Sequence, residues 1–375
     1  MNIVLISEYF PHTEEREMRG GVEARCFYIA KELARKNQVT VIASHEPGAV
    51  RYGQIGDVTV LRVGPARNYT HHQGLWSRFL FALSICCVRL PQRPDLIDTQ
   101  AIVAYIPGYF LARRYQARAV ITLHDLWLGQ WVKLFGWLGL IGEIVERIYL
   151  RLGWNGVIAN SQYTFDKIKN RIKCRIQVVY NGIDHEHAPV TANQPIAHSL
   201  CVVSRLVPYK RVADVLHAQA LLHSRGKEVH SHIIGSGPSA DSLEKLAVDL
   251  GVASLVTFHG FLPKHGDVLR QLQSCNILCH PSSVEGFGIV TLEAALVGRP
   301  YVATDIPAIR EVTRDGVGGI LYPVGDIEVL AKALEQLLYN ETFYQQKQKE
   351  LPTLLARYQW HEQAAAVDSY YQTLV

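Results

Sequence analysis

The strongest constraint on the fold is a hydrophobic period that keeps changing along the chain. Short apolar runs of strand length alternate with longer stretches whose apolar residues recur at helical spacing. In the first half the runs cover residues 3–7, 39–44, 58–63, 119–123, 156–160 and 177–180; in the second they cover 199–204, 230–234, 255–258, 276–279 and 301–304. Strands separated by amphipathic helices form a parallel sheet covered on both faces, because each strand must be buried from two sides. Residues 186–197 show neither period and carry Pro189 and Pro195, so they read as a linker. The expected class is α/β, with two doubly wound domains at 1–185 and 198–357. A length of 375 residues, 48% of them hydrophobic and 19% charged, suits two soluble globular cores.

The chemistry concentrates in Glu285-Gly286-Phe287-Gly288-Ile289-Val290-Thr291-Leu292-Glu293. Residues 275–279 upstream read as a buried strand and residues 289–297 as a helix, which puts both glycines at a strand-to-helix turn. Amides without an intrahelical partner and the positive end of the helix dipole make such a turn an anion site, and glycine lets a ligand approach the backbone. A carboxylate beside a phosphate would repel it. Glu285 and Glu293 are therefore expected to accept hydrogen bonds from hydroxyls, and hydroxyls next to phosphate describe a sugar nucleotide. The plainer alternative is a surface loop flanked by two solvated glutamates.

With His280-Pro281-Ser282 before it, this Glu-x7-Glu spacing around Gly-Phe-Gly resembles the donor-site signature of retaining glycosyltransferases of family 4. The likeness covers most of the chain. Gly20-Gly21-Val22-Glu23 opens a helix ending near Lys36, and the run 203–211 carries Arg205 and Lys210. Ile233-Ile234-Gly235-Ser236-Gly237-Pro238 and Val256-Thr257-Phe258-His259-Gly260-Phe261-Leu262 follow in the family's order. The resemblance implies a GT-B fold: two Rossmann-like domains facing a cleft, acceptor in the first, nucleotide sugar in the second, and residues 358–375 crossing back as a helix onto the first. It implies roles as well. Gly20 and Gly21 approach the donor diphosphate, which Arg205, Lys210 and the backbone of Gly286, Phe287, Gly288, Ile289 and Val290 neutralise. Glu285 holds the hexose and Glu293 the ribose, and Phe261 lies in the loop that reads the base.

His124 ends the strand 119–123, where open α/β sheets place ligands. Taken alone, a histidine there is a structural hydrogen-bonding residue. The resemblance implies contact with the donor sugar near its reacting carbon, with Asp125 orienting either the loop or the imidazole. Whether His124 transfers a proton stays open.

No Asp-x-Asp pair is present, since Asp95-Leu96-Ile97-Asp98 has the wrong spacing, and neither His71-His72 nor His185-Glu186-His187 has companions at metal-site spacing. Neither metal nor cofactor is expected; the nucleotide sugar is a substrate. Seven cysteines without a Cys-x2-Cys pair fit no disulfide framework, so Cys86, Cys87, Cys275 and Cys279 are expected to be small buried residues in a reducing cytoplasm. Residues 1–7 read as a strand, not an export signal. The apolar stretches 79–88 and 134–144 are shorter than the roughly 20 residues of a membrane span.

Residues 1–187 hold 23 Lys and Arg against 16 Asp and Glu, whereas the remainder holds 15 against 18. The basic half is the acceptor half. Arg113, Arg114, Arg118, Lys133 and the run 167–175 could attract an anionic acceptor or an anionic membrane surface, with residues 127–138 as an aromatic segment at the interface. A buried helix among solvated lysines fits the same pattern. No nucleic-acid partner is expected.

Leaving-group stabilisation by Arg205, Lys210 and the loop amides would drive transfer, with front-face attack and retention as the family implies. A nicotinamide oxidoreductase is disfavoured, because no Gly-x-Gly-x-x-Gly follows residues 3–7 and the 235–238 run lacks a third glycine. A glycosidase or sugar phosphorylase, and a noncatalytic nucleotide-sugar binder, remain alternatives. UDP, GDP and ADP are all open, as are the hexose and a glycan, lipid or polyprenyl-linked acceptor.

Overall fold

Alternate residues of the first strand enter two different cores. Ile3 and Leu5 pack with Phe27 and Ile29 of the helix Gly21–Ala34, while Val4 and Ile6 join Phe81 and Ile85 of the helix Leu75–Cys87. Period-2 alternation with both sides buried is what the near-continuous apolar run requires. The computed structural model describes residues 1–13, 20–67, 75–184 and 195–375, and it divides into Met1–Gly182 with Trp360–Val375, and Ile183–Gln359.

The first unit contains β1 (Asn2–Ile6), β2 (Gln38–Ser44), β3 (Tyr52–Ile55), β4 (Val58–Val63), β5 (Leu96–Thr99), β6 (Arg118–Leu123), β7 (Gly156–Ala159) and β8 (Ile176–Val178). Among the described residues they form one sheet in the order β3-β4-β2-β1-β5-β6-β7-β8, parallel except for the β3–β4 pair. The second unit contains β9 (Ser199–Val203), β10 (His230–Ile234), β11 (Val256–Gly260), β12 (Ile277–His280), β13 (Tyr301–Thr304) and β14 (Gly319–Tyr322), ordered β11-β10-β9-β12-β13-β14 and parallel throughout. Strand order reverses between β1 and β5 in one sheet and between β9 and β12 in the other. Ligands of doubly wound sheets bind at the carboxyl ends of the strands beside such a reversal.

Three strands escape the sequence reading. β5 ends in Asp98-Thr99, which breaks an apolar run, yet both side chains are buried. β3 is a partly exposed edge strand containing Gly53 and Gln54, and β14 spans only four residues. Most of the expected linker 186–197 lies outside the described residues, as do His71, His72, His185, Glu186 and His187. Of the cysteines expected to be buried, Cys275 and Cys279 are, whereas Cys86 and Cys87 are exposed. Their helix turns Phe81 and Ile85 inward, which carries its C-terminal pair outward.

The last helix, Trp360–Gln372, belongs to the first unit. Trp360 stacks on Tyr28 with ring centroids 5.0 Å apart, and Gly182 leaves room for the indole, since a Cβ there would stand 2.5 Å from it. Tyr371 donates to Asp98 Oδ2 at 2.7 Å, and Thr122 donates to the same carboxylate at 2.8 Å. Burial raises the Asp98 carboxyl, and these bonds and Arg25 oppose the rise. Tyr371→Phe should therefore cost about 1–3 kcal/mol in denaturant unfolding, because a buried acceptor loses a donor without losing its burial. An unchanged midpoint would show that Asp98 is satisfied without the phenol.

Candidate active site

In the second unit the ends of β9 and β12, neighbours at the strand-order reversal, carry the expected donor residues. Arg205 follows β9 with its side chain exposed, and its guanidinium donates to the Tyr209 hydroxyl. Two glycines after β10 fix its backbone. A Cβ on Gly235 would stand 1.8 Å from the Ser204 carbonyl oxygen and one on Gly237 2.3 Å from that of Leu206, so only glycine permits the approach that lets Leu206 N–H donate to Ser236 O at 2.9 Å.

Across the reversal, the loop after β12 is tied to the same turn, with Ser283 N–H and Oγ both donating to the Tyr209 carbonyl at 2.9 Å. Lys210 pairs with Glu285 Oε1, and His280 Nε2 lies 3.0 Å from the same oxygen. Burial alone would raise the Glu285 carboxyl. Lys210 and then His280 more than reverse this and hold it well below the usual carboxylate range. Glu285 is thus an ionised acceptor, not an acid.

Gly288 caps the helix Ile289–Leu296 at φ +83°, and a Cβ there would stand 2.3 Å from Ile309 Cδ1. Thr291 N–H donates to the Gly288 carbonyl at 3.1 Å, which leaves the Ile289 and Val290 amides, with no carbonyl one turn earlier, for a ligand. Phe287, expected to act through its backbone, has its ring buried edge-on against Tyr358, so the side chain is a packing group. Glu293 lies one turn into the helix, with Oε1 2.9 Å from His265 Nε2. Phe261, just past β11, is 40% exposed.

In the first unit Gly20 caps the helix Gly21–Ala34, its carbonyl accepting from Ala24 N–H at 3.0 Å. His124 follows β6 and donates one ring N–H to the Gln100 carbonyl, while Nε2 is buried with no hydrogen-bond partner among the described residues. Burial, reinforced by Arg25, pushes its pKa down to about 3. The imidazole is neutral at ordinary pH and presents an acceptor. Asp125 serves the loop: it accepts from Leu126 N–H at 2.7 Å and from Lys167 at 2.9 Å. Beside it opens a cavity of about 430 Å³ lined by Leu126, Leu128, Gln130, Asp166, Lys167, Asn170 and Arg171.

Two family models match, Glycosyltransferase Family 4 over residues 19–187 and Glycosyl transferases group 1 over residues 192–351. The D-inositol 3-phosphate glycosyltransferase of Frankia alni is 35% identical over 288 residues, 65% of this chain and 69% of that one. The chain belongs to the group 1 glycosyltransferases. Its whole length superposes on sucrose-phosphate synthase from Thermosynechococcus elongatus with TM-score 0.84 at 18% identity, covering 98% of that chain. Anabaena HepE, solved in complex with UDP-glucose, matches with TM-score 0.75 at 19% identity over 100% of both chains. The fold is GT-B.

Three partners in this glycosyltransferase were not read from its sequence. His280 was noticed only as part of a motif, and its approach to Glu285 depends on the β12 end. His265 and Tyr209 reach Glu293 and Arg205 through loop geometry that no periodicity encodes. A pH dependence follows from the paired groups. His124 has a folded pKa below its unfolded value of ~6.5, so the unfolded chain binds more protons and stability falls as pH drops through the window from about 6.5 to 3. The depressed Glu285 acts with the same sign, its contribution being lost as pH falls through its folded value. Unfolding free energy should fall by at most about 2 kcal/mol from pH 7 to pH 5 through His124, and His124→Gln should flatten that slope. An unaltered slope in the variant would mean the imidazole is not held neutral.

Proposed function

We propose that the chain transfers a hexose from a nucleoside-diphosphate sugar to a hydroxyl of a glycan, lipid or lipid-linked acceptor, with retained configuration and without metal. The observation that carries this reading is the grouping at the β9–β12 reversal of exposed Arg205, the Lys210–Glu285–His280 group and the helix start at Ile289. Arg205 and the amides of Ile289 and Val290 face the diphosphate and stabilise its charge as it leaves. Lys210 holds Glu285 ionised and oriented so that the carboxylate accepts from hexose hydroxyls. Glu293, held by His265, accepts from the ribose, and the exposed Phe261 ring suits stacking on the base. His124 Nε2 accepts a sugar hydroxyl near the reacting carbon.

Both site carboxylates are close to basic side chains, and Glu285 is held strongly acidic, whereas a glycosidase needs one carboxyl kept protonated as its acid. That supports front-face attack over a two-carboxylate mechanism. The UDP-glucose complex of HepE favours UDP among the three nucleotides. The cavity beside Asp125, with Lys167 and Arg171 in its lining, supports an acceptor site in the first unit. Seven free thiols support a reducing cytoplasmic setting, peripheral to the membrane if the acceptor is lipid-linked.

A thermal-shift panel of UDP, GDP and ADP in excess EDTA tests the donor assignment, and the expected result is stabilisation by UDP of about 3 kcal/mol at 100 times its Kd. Turnover should persist in EDTA, with NMR of the first product showing the donor's anomeric configuration. Loss of turnover restored by Mg²⁺ would reassign the charge neutraliser, and an inverted product would remove front-face attack.

A further inference from the structure

The helix Gly139–Tyr149 is inside out. Its two carboxylates turn toward the protein: Glu146 is buried and accepts from Trp127 N–H and the Tyr149 hydroxyl, and Glu143 accepts from Gly129 N–H and Arg147. What it shows to solvent is Leu140, Ile141, Ile144, Arg147 and Ile148, with Ile144 57% exposed. Residues 140, 144 and 148 lie one above another, so this is a continuous apolar stripe. The turn before it adds Trp137, 76% exposed, and Leu138. The sequence placed an interfacial segment at 127–138. The structure shifts it onward, because Trp127 and Trp131 lean on one another and only about half of that segment faces out.

The helix Leu75–Cys87 repeats the pattern, with Trp76, Phe79 and Leu83 exposed at helical spacing and Trp76 stacked on Phe79. Both helices send their other sides into the same core of the first sheet, so both apolar stripes lie on one face of the first unit. Charge is one-sided too. Between residues 131 and 151 the exposed charged side chains are Lys133, Arg147 and Arg151, with no exposed carboxylate.

Soluble monomers rarely expose apolar stripes of this extent, and tryptophan with aliphatics beside lysine and arginine is the composition of a bilayer interface. Cations without exposed acid match an anionic headgroup layer. We propose that this face of the first unit docks on a bilayer surface containing anionic lipid, Trp137, Ile141 and Ile144 entering the headgroup boundary while Lys133, Arg147 and Arg151 meet the phosphates. No helix among the described residues is long and apolar enough to cross a membrane, so the contact is at the surface. The inference deepens the proposed reaction by placing the chain where a lipid-linked acceptor is presented, but its geometry does not depend on that reaction.

Co-sedimentation of the full chain with phosphatidylcholine vesicles, with and without phosphatidylglycerol, tests it. Binding is expected to require the anionic lipid, to weaken with salt, and to fall at least about tenfold in Ile141→Glu/Ile144→Glu. Both substituted side chains are solvent-facing, so circular dichroism and the UDP thermal shift should match the parent chain. No binding to anionic vesicles at low salt overturns the proposal, as does equal binding by the double variant. Dimerisation abolished by the same substitutions, without lipid binding, would assign the face to a second copy of the chain. Vesicle binding without a UDP shift would keep the docking surface and remove the donor assignment.

Discussion

Lys210→Met should lower turnover by about 10²- to 10³-fold and destabilise the second unit by about 3–5 kcal/mol. Lys210 and Glu285 are 12% and 15% exposed, so their attraction is little screened and neither charge is comfortable alone. Removing the ammonium leaves Glu285 with the His280 ring as its remaining basic neighbour at 3.0 Å, and the carboxyl pKa should climb out of its depressed range. A proton taken up there would turn a hydroxyl acceptor into a donor, which is the proposed reason that turnover falls along with stability. Glu285→Gln should cost less stability, since the amide keeps the shape and an acceptor, yet lose comparable turnover. Combining Lys210→Met with Glu285→Leu separates the two effects, because replacing both members of a buried pair by apolar groups is often close to neutral. Stability should largely return in the double variant while turnover does not. A Lys210→Met protein with parental stability and turnover would show that the pair is a solvated contact with no part in catalysis.

The strands were legible because burial on both faces forces apolar runs, and β4, β10 and β13 fall on residues 58–63, 230–234 and 301–304 as the periodicity predicts. β5 was missed for the opposite reason. It carries Asp98 into the core, and what makes that tolerable is Tyr371 from the far end of the chain, together with Thr122 and Gln100. Such compensation is non-local, and no window of sequence contains it. The donor loop shows the same division. Gly288 was legible as a turn glycine because its positive φ needs no partner to explain it. The burial of Phe287 was not, since the ring's destination is Tyr358. Opposite charges at 210 and 285 were both singled out, but for separate duties on diphosphate and hexose; only the joining of the two loops through Tyr209 and Ser283 shows that they meet. Cys86 and Cys87 misled because residue type predicts average burial, whereas helix phase decides it at each position.

Arg205→Ala should cost about 10²- to 10³-fold in turnover while leaving the unfolding midpoint unchanged. The contrast with Lys210 rests on exposure, since Arg205 stands in solvent just past β9 and its guanidinium donates to the Tyr209 hydroxyl. Little folding energy resides there, but a guanidinium held by Tyr209 past β9, the strand next to β12, is well suited to a leaving diphosphate, whose charge grows only as the glycosidic bond breaks. An interaction that strengthens in the transition state should appear in kcat at saturating donor more than in nucleotide affinity. Arg205→Lys should recover only part of the loss, because an ammonium is a point charge without the bidentate fork. Tyr209→Phe supplies the positioning control: it keeps the guanidinium and removes the hydroxyl that receives it, so turnover should fall by about tenfold with UDP affinity preserved. If Arg205→Ala instead loses UDP binding in proportion to turnover, the side chain is a ground-state clamp. Parental kcat in the same variant would leave the loop amides at Ile289 and Val290 as the group that carries the departing charge.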